Sequence, residues 1–522
     1  MSQVQKSMSL ANPAPPFTDL IQKIAAAIGG VGLLFMVIAL SGNGAIQNST
    51  WLYTALGLIT AGTVVYSWRA YMTLPEGIKN NGVWFGSLSS KGLWAWVLGI
   101  VLTGFYVVLY WYPEYLGLGK DGAANSGLVS FFDPLSMALK GQPASEWFVY
   151  GTLYTVAILA FGIKFILKYR HNKYQVVRTI SVMFFQLGFA FLLPEIMQKL
   201  NHPYYSFTNM WPLNYYFFYD WNLDGLLNAG NVGMLMLSFG LAMVFIISPT
   251  LTYFYGKRWY CSWVCGCGGL AETAGDPFRH LSDKSLKAWK IERWMIHGVL
   301  VFVTLMTVAV VYSYFNSDRN LLITKPISIG LIILIGGLVI AIVQANKKEI
   351  NYSKDKLSTI ISAIVGVIVL LAIIAFFTGN FIIDGGMLRG WYGFFIGAAF
   401  SGVVGVGFYP LMGSRVWCRF GCPMAALLGL QQKFFSRFRI TTNGGQCISC
   451  GNCSTYCEMG IDVRAYAQKG QNIVRASCVG CGICAAVCPR GVLKLENGSV
   501  DLSSKTTELK TIHIAEGDIR IL

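Results

Sequence analysis

Long apolar runs broken by short polar stretches dominate the first four-fifths of the chain. A bilayer core about 30 Å thick is crossed by roughly 20 apolar residues of helix. Ten stretches meet that need: 24–41, 51–68, 92–112, 147–167, 179–197, 232–254, 294–315, 327–345, 357–377 and 391–411. From Phe434 the hydropathy collapses, and FFSRFRI is a basic, aromatic stretch suited to a membrane surface. The pattern therefore predicts an all-α polytopic membrane protein of about ten transmembrane helices, with a small α+β domain at its C-terminal end. The expected divisions are a cytoplasmic segment 1–23, a membrane domain 24–433, a small domain 434–500 and a polar tail 501–522. The first segment carries Pro13, Pro15 and Pro16 and no cleavage signal before the first span.

Charge supplies the orientation. The loop after the fourth span holds Lys168, Arg170, Lys173 and Arg178, and that after the eighth holds Lys347, Lys348, Lys354 and Lys356. Glu114, Asp121, Asp133 and Glu146 follow the third span, and Glu195, Asp220 and Asp224 follow or end the fifth. Lys and Arg favour the cytoplasmic side, so both termini and the small domain are expected inside a bacterial-type inner membrane. Only 12% of residues are charged, against roughly a quarter in an average soluble protein. The net charge of +16 sits in short clusters between apolar runs, which suits anionic lipid and not nucleic acid.

Thirteen cysteines fall into tight clusters, with no Cys-x-x-Cys-His haem site among them. That is metal-ligand spacing in a reducing compartment and not a disulfide framework. Two runs, Cys447-x-x-Cys450-x-x-Cys453-x-x-x-Cys457 and Cys478-x-x-Cys481-x-x-Cys484-x-x-x-Cys488-Pro489, have the spacing that wraps a cubane 4Fe-4S cluster. Three thiolates of each run reach one cube from a tight loop, and the fourth reaches the other. One cluster is then expected on Cys447, Cys450, Cys453 and Cys488, and the second on Cys478, Cys481, Cys484 and Cys457. Single tetrahedral zinc ions give little reason for that run to occur twice.

Two further pairs, Cys261/Cys265 and Cys418/Cys422, end the sixth and tenth stretches in a direct repeat. Each copy has Arg three before its first cysteine (Arg258, Arg415), an aromatic one before and an aromatic two after. Cysteines four apart share a helix face, so two pairs can supply the four thiolates of a third metal centre. Redox-active thiols and structural packing are the alternative readings. Cys267 has no counterpart in the second copy.

Other residues carry weaker signals. The loop His202–Asn222 is dense in Tyr, Trp and Phe, which reads as an interfacial aromatic belt or as a pocket for a quinone head. Glu195 is an ionisable group beside lipid, and Lys164 is expected to snorkel. Of five histidines only His297 lies in a span, so His280 with His297 is the one pair to consider for haem or quinone contact. Gly402, Gly405 and Gly407 lie in an apolar run and read as close helix packing.

The cysteine runs resemble the bacterial two-cluster ferredoxins over roughly 60 residues, with Glu458 after Cys457 where that family usually has proline. Together with the Cys-x-x-x-Cys pairs, from Arg415 to Pro423 and Cys447 to Pro489, the chain looks like the NapH, NosR and CcoG group of membrane polyferredoxins. Gly266 stands where that group has proline. The resemblance implies a membrane-bound iron-sulfur electron-transfer protein working between the quinone pool, or a membrane partner, and cytoplasmic clusters in a respiratory chain, as a quinol dehydrogenase-type subunit with a redox partner protein. The alternative it implies is an accessory factor that reduces a metal or a disulfide while another redox enzyme is assembled.

Overall fold

The computed structural model describes residues 19–72, 91–316 apart from 121, and 385–498, with four helical positions between 363 and 374 and two short strands near the C-terminus. Six helices among the described residues are long and apolar enough to cross a membrane: Leu20–Leu40, Leu93–Trp111, Glu146–Lys168, Lys173–Lys199, Gly230–Tyr255 and Leu286–Val311. They match six of the ten expected spans. The stretch 51–68 forms the helix Ser49–Met72, less apolar than the six. The stretch 391–411 is helical but broken, with a wide-turn segment Gly393–Val404 and a separate turn Tyr409–Met412. The stretches 327–345 and 357–377 lie outside the described residues, apart from Ala363, Val367, Leu370 and Ile374.

Apolar side chains such as Leu33, Leu34 and Val37 point outward, as lipid-facing helices require. Leu20–Leu40 and Ser49–Met72 cross closely at glycine: a Cβ on Gly62 would meet the Ala25 carbonyl at 2.6 Å, and one on Gly32 the Ala55 carbonyl at 2.7 Å. Small residues at helix contacts let backbones approach where lipid gives no hydrophobic drive.

The C-terminal unit is framed by strands β1 (Phe438–Thr442) and β2 (Leu493–Asn497), antiparallel with Phe438 opposite Asn497 and Thr442 opposite Leu493. Alternate residues of β1 are buried, the period-two pattern of a strand with one face on a core. Ile440 also bridges to Ile473, which ties the middle of the unit to its sheet. In the tail, β3 (Ile512–Ala515) and β4 (Asp518–Ile521) pair as a separate antiparallel hairpin.

Three expectations need correction. Lys164 does not snorkel: its side chain is fully buried and donates to Asp276 Oδ2 at 2.7 Å. The aromatic loop does not lie flat as a belt, because Tyr205, Met210, Phe217 and Tyr219 are buried and Tyr260 donates to the Thr208 carbonyl at 2.7 Å. The Cys-x-x-x-Cys pairs do not share a helix face. In each copy a short helix (Arg258–Cys261, Val416–Phe420) breaks, and the second cysteine caps the next helix (Gly266–Thr273, Pro423–Phe435) in extended conformation. Pro423 explains the second break, since proline fits the first helical position and keeps the residue before it extended.

Candidate metal centres

In the C-terminal unit the two cysteine runs fold alike. Gly451 (φ 78°) and Gly482 (φ 75°) follow the second cysteine of each run and start the short helices Asn452–Thr455 and Ile483–Ala486 that carry the third. A left-handed residue there turns the loop back on itself, which glycine does without steric cost. The fold brings Cys447, Cys450, Cys453 and Cys488 around one small cavity. It brings Cys457, Cys478, Cys481 and Cys484 around another. Each set thus takes one cysteine from the opposite run. Among the described residues, the one set of three or more Cys, His, Asp or Glu donor atoms mutually within 4.8 Å is Glu272, Glu458 and Cys481. The cysteine sets are therefore more open than a single tetrahedral ion with metal–sulfur distances of about 2.3 Å would need. All-thiol sets of four, spread wider than a mononuclear site, fit 4Fe-4S clusters. The Ile461 N–H donates to Cys457 Sγ at 3.4 Å, the kind of backbone bond that tunes a thiolate ligand.

The two sets differ in exposure. Cys450 is exposed and its neighbour Ile448 is 57% exposed, so the first set faces solvent. The second faces the membrane domain, which captures four consecutive carbonyls of its loop. Gln432 Nε2 donates to the Cys478 carbonyl at 2.8 Å, Ser262 Oγ to Val479 at 2.9 Å, Tyr174 Oη to Gly480 at 3.0 Å and Gln175 Nε2 to Cys481 at 2.8 Å. Four bonds to one loop fix its position more tightly than apolar contact alone, because direction as well as distance is set.

Beneath that loop lies a buried ionic network. Arg415 pairs with Glu272 at 2.5 Å and Glu458 at 3.0 Å, and Arg279 pairs with Glu458 at 3.3 Å and Asp276 at 3.2 Å. Arg178 also pairs with Glu272, while Lys164 and Lys168 reach Asp276 at 2.7 and 2.6 Å. Glu458, the residue that departs from the ferredoxin pattern, is thus the group that the C-terminal unit inserts into the membrane domain. Burial alone would raise its carboxyl, but Arg415 and then Arg279 outweigh that and hold it below the usual range. Burial pushes the Cys457 thiol up to about 11 in the metal-free chain. Among the described residues five cations and three anions meet in this network beside the cysteines, an electropositive setting that thiolate-ligated clusters, which are anionic, would complement. The same guanidinium groups neutralise Glu272 and Glu458, so those carboxylates with Cys481 do not make a cation site.

Cys261, Cys265, Cys418 and Cys422 are all buried and belong to one core. Arg415 joins the two copies: its Nη1 donates to the Cys261 carbonyl at 3.2 Å and to Cys418 Sγ at 3.5 Å. The Cys265 N–H donates to the Tyr260 carbonyl at 2.8 Å, and the Cys422 N–H donates to the Trp417 carbonyl at 2.9 Å. The repeat is therefore one of backbone geometry as well as sequence. Cys422 Sγ accepts the Ala425 N–H at 3.4 Å, at the start of the helix Pro423–Phe435. Cys267, without a counterpart in the repeat, lies in the first turn of the helix that Cys265 caps. Ser181 Oγ donates to the Trp263 carbonyl at 3.0 Å, and Gln186 touches Gly266. These contacts set the first copy about 12–20 Å along the helix from Lys173. A Cβ at Gly266 would press against Gln186 Oε1, so a larger residue there requires the Gln186 side chain to move.

Sequence reasoning found the thirteen cysteines and the repeated Arg415, though not its ion pairs, and missed Glu272, Gln432 and Tyr174 as parts of the site. The departure at Glu458 was the one sequence signal for the dock. A cavity of about 750 Å³ separates the aromatic loop from Gly266 and Cys267. His297 is buried against a smaller cavity that also touches Cys418 and Lys257.

Comparison with known families agrees with these sites. A family model described as a 4Fe-4S dicluster domain matches residues 446–493, which hold both cysteine sets of the C-terminal unit. A second, described as a 4Fe-4S binding domain, matches twice, at 237–285 and 393–441, each time across one Cys-x-x-x-Cys pair. No curated protein sequence and no solved structure matches the chain. The chain thus carries an iron-sulfur domain of the two-cluster ferredoxin type, joined to apolar helices suited to a membrane.

Proposed function

We propose that the protein transfers electrons at a bacterial-type inner membrane, between the quinone pool or a membrane partner and iron-sulfur clusters on the cytoplasmic side. Cys447, Cys450, Cys453 and Cys488 would hold one cluster, and Cys457, Cys478, Cys481 and Cys484 the second. Cys261, Cys265, Cys418 and Cys422 would hold a third centre. Bound clusters of this kind carry single electrons at tunable potentials.

The observation that supports the reading best is the continuity from Cys457 through Glu458 to Arg415 and Cys418, by one peptide bond, one ion pair and one N–H···S bond. The chain's own residues act by position. Gln432, Ser262, Tyr174 and Gln175 hold the inner cysteine set against the membrane domain. Cys450 leaves the outer set open to a soluble redox partner. Arg415, Arg279 and Arg178 supply buried positive charge.

A second reading, reduction of a metal ion or disulfide for the assembly of another redox enzyme, is favoured by Cys267, a cysteine outside the repeat that lines the large cavity two residues from Cys265. Free thiols at the four repeat cysteines would select it.

The reading is tested by anaerobic purification of Cys450→Ser and Cys478→Ser variants, with iron analysis and EPR of the reduced proteins. Each is expected to lose up to about four irons, but only Cys478→Ser should also loosen the dock, read as faster hydrogen exchange over 478–482. Full iron in both variants would contradict the ligand sets.

A further inference from the structure

The smaller cavity lies where the C-terminal unit meets the membrane domain. It is bounded by the first turns of the helix Leu286–Asn316, by the helix Pro423–Phe435 and by residues 474–477, just ahead of the inner cysteine loop. Its volume of about 180 Å³ is below the roughly 300–1,000 Å³ of sites for drug-sized ligands and cofactors. It suits a head group and not a complete cofactor.

Charge identifies the head group. Among the described lining residues Lys257, Arg293, Arg419, Lys433 and Arg475 are cations, and Glu292 is the one carboxylate. Two of these cations are buried. Lys257 is 1% exposed and forms no ion pair among the described residues. Arg419 is 3% exposed, and donates from Nε to Glu292 and from Nη1 to the Asp283 carbonyl, each at 2.7 Å. Its Nη2 is buried without a hydrogen-bond partner. Buried donors and charges left unmet are costly, and an anion with several acceptor oxygens meets both. Phosphate is such an anion: guanidinium groups grip its oxygens in pairs, and an ammonium adds a point charge.

The surroundings point to lipid as the carrier of that phosphate. The cavity opens along the first turns of a helix long and apolar enough to cross a membrane. Leu286, Ile291 and Trp294 of that helix are exposed, and Ile296 and Leu430 line the cavity itself. A phosphate held there has apolar surface beside it for acyl chains, with tryptophan at head-group depth. A choline head would bring its own cation into the cluster, whereas a glycerol head brings none.

We propose that this cavity binds the phosphate of an anionic phospholipid, and that the lipid joins the C-terminal unit to the membrane domain. Arg293, Arg419 and Lys433 hold the phosphate from the membrane side, and Arg475 holds it from the C-terminal unit. The proposal goes beyond the electron-transfer reading and does not depend on a third metal centre.

The test is native mass spectrometry of the anaerobically purified full-length protein, delipidated in a non-ionic detergent and titrated with phosphatidylglycerol, phosphatidylcholine or inorganic phosphate. Saturable binding of about one phosphatidylglycerol per chain is expected, at least about tenfold tighter than phosphatidylcholine, with slower hydrogen exchange over 473–477. Arg293→Gln/Arg475→Gln should weaken it at least about tenfold. Lys287→Gln, an exposed charge on the same helix outside the cavity, should leave it unchanged. Iron content and slow exchange in β1 report whether the double variant is folded. Should it unfold, Lys433→Gln decides instead, with an expected loss of about fivefold. Equal affinity for the two lipids, equal phosphatidylglycerol binding in the folded cavity variant, or binding without slower exchange over 473–477 overturns the proposal. Displacement of the lipid by low-millimolar inorganic phosphate would assign the cavity to free phosphate and overturn the lipid as its ligand.

Discussion

Glu458→Pro, which installs the residue usual after the fourth ferredoxin cysteine, will release the C-terminal unit from the membrane domain. The carboxylate is fully buried between Arg415 and Arg279, and removing one partner of a buried pair costs about 3–5 kcal/mol because the other charge is left uncompensated. The unit's own sheet should survive, since the β1–β2 pairing does not involve Glu458. Hydrogen exchange should therefore rise over 478–482, where the captured carbonyls lie, and stay slow in β1. Acid should mimic the substitution. The carboxyl is held below its ordinary value, so its contribution is complete above about pH 4 and is lost as pH falls through the lowered value. Slow exchange over 478–482 in Glu458→Pro at neutral pH would show that the carbonyl bonds hold the dock alone.

Arg415→Lys will be nearly as damaging, although charge is conserved. The guanidinium contacts Glu272, Glu458, the Cys261 carbonyl and Cys418 Sγ at once. An ammonium has neither the planar fork nor the number of fixed donors to do so. Leaving two or more of these buried acceptors unmet costs about 1–3 kcal/mol each. The variant should lose ordered contact between the two copies of the repeat, with Cys261 and Cys418 open to alkylation in the folded, metal-stripped protein while Cys447 and Cys450 react as in the wild type. Equal protection of Cys418 in both proteins would show that Arg415 does not join the copies.

The cysteine runs were legible because a cluster-binding loop is local: successive cysteines lie three or four positions apart, and spacing carries the geometry. The repeat at Cys261 and Cys418 was legible for the same reason, yet its conformation was not. A four-residue interval suits one helix face, whereas Pro423 and the capping role of Cys265 and Cys422 break the helix between the cysteines. Burial of charge was the least visible feature. Lys164, Lys168 and Arg178 read as loop or snorkelling cations, because their partners Asp276 and Glu272 lie about a hundred residues away. The dock of the inner cysteine loop uses Tyr174 and Gln175 from one helix, Gln432 from another and Ser262 from a turn, which leave no periodic trace. Hydropathy found the six apolar helices but overstated regularity in 391–411, where wide turns and glycine interrupt the helix.

The central claim is that three sets of cysteines, not two, hold iron. Iron and acid-labile sulfide per chain, measured on anaerobically purified protein with EPR after dithionite reduction, test it in wild type and in Cys261→Ser/Cys418→Ser. The account predicts more than about eight irons in the wild type and about eight in the variant, with one EPR signal lost and the spectrum of the ferredoxin-type unit unchanged. About eight irons in both, with identical spectra, would contradict it and leave the repeat cysteines as thiols.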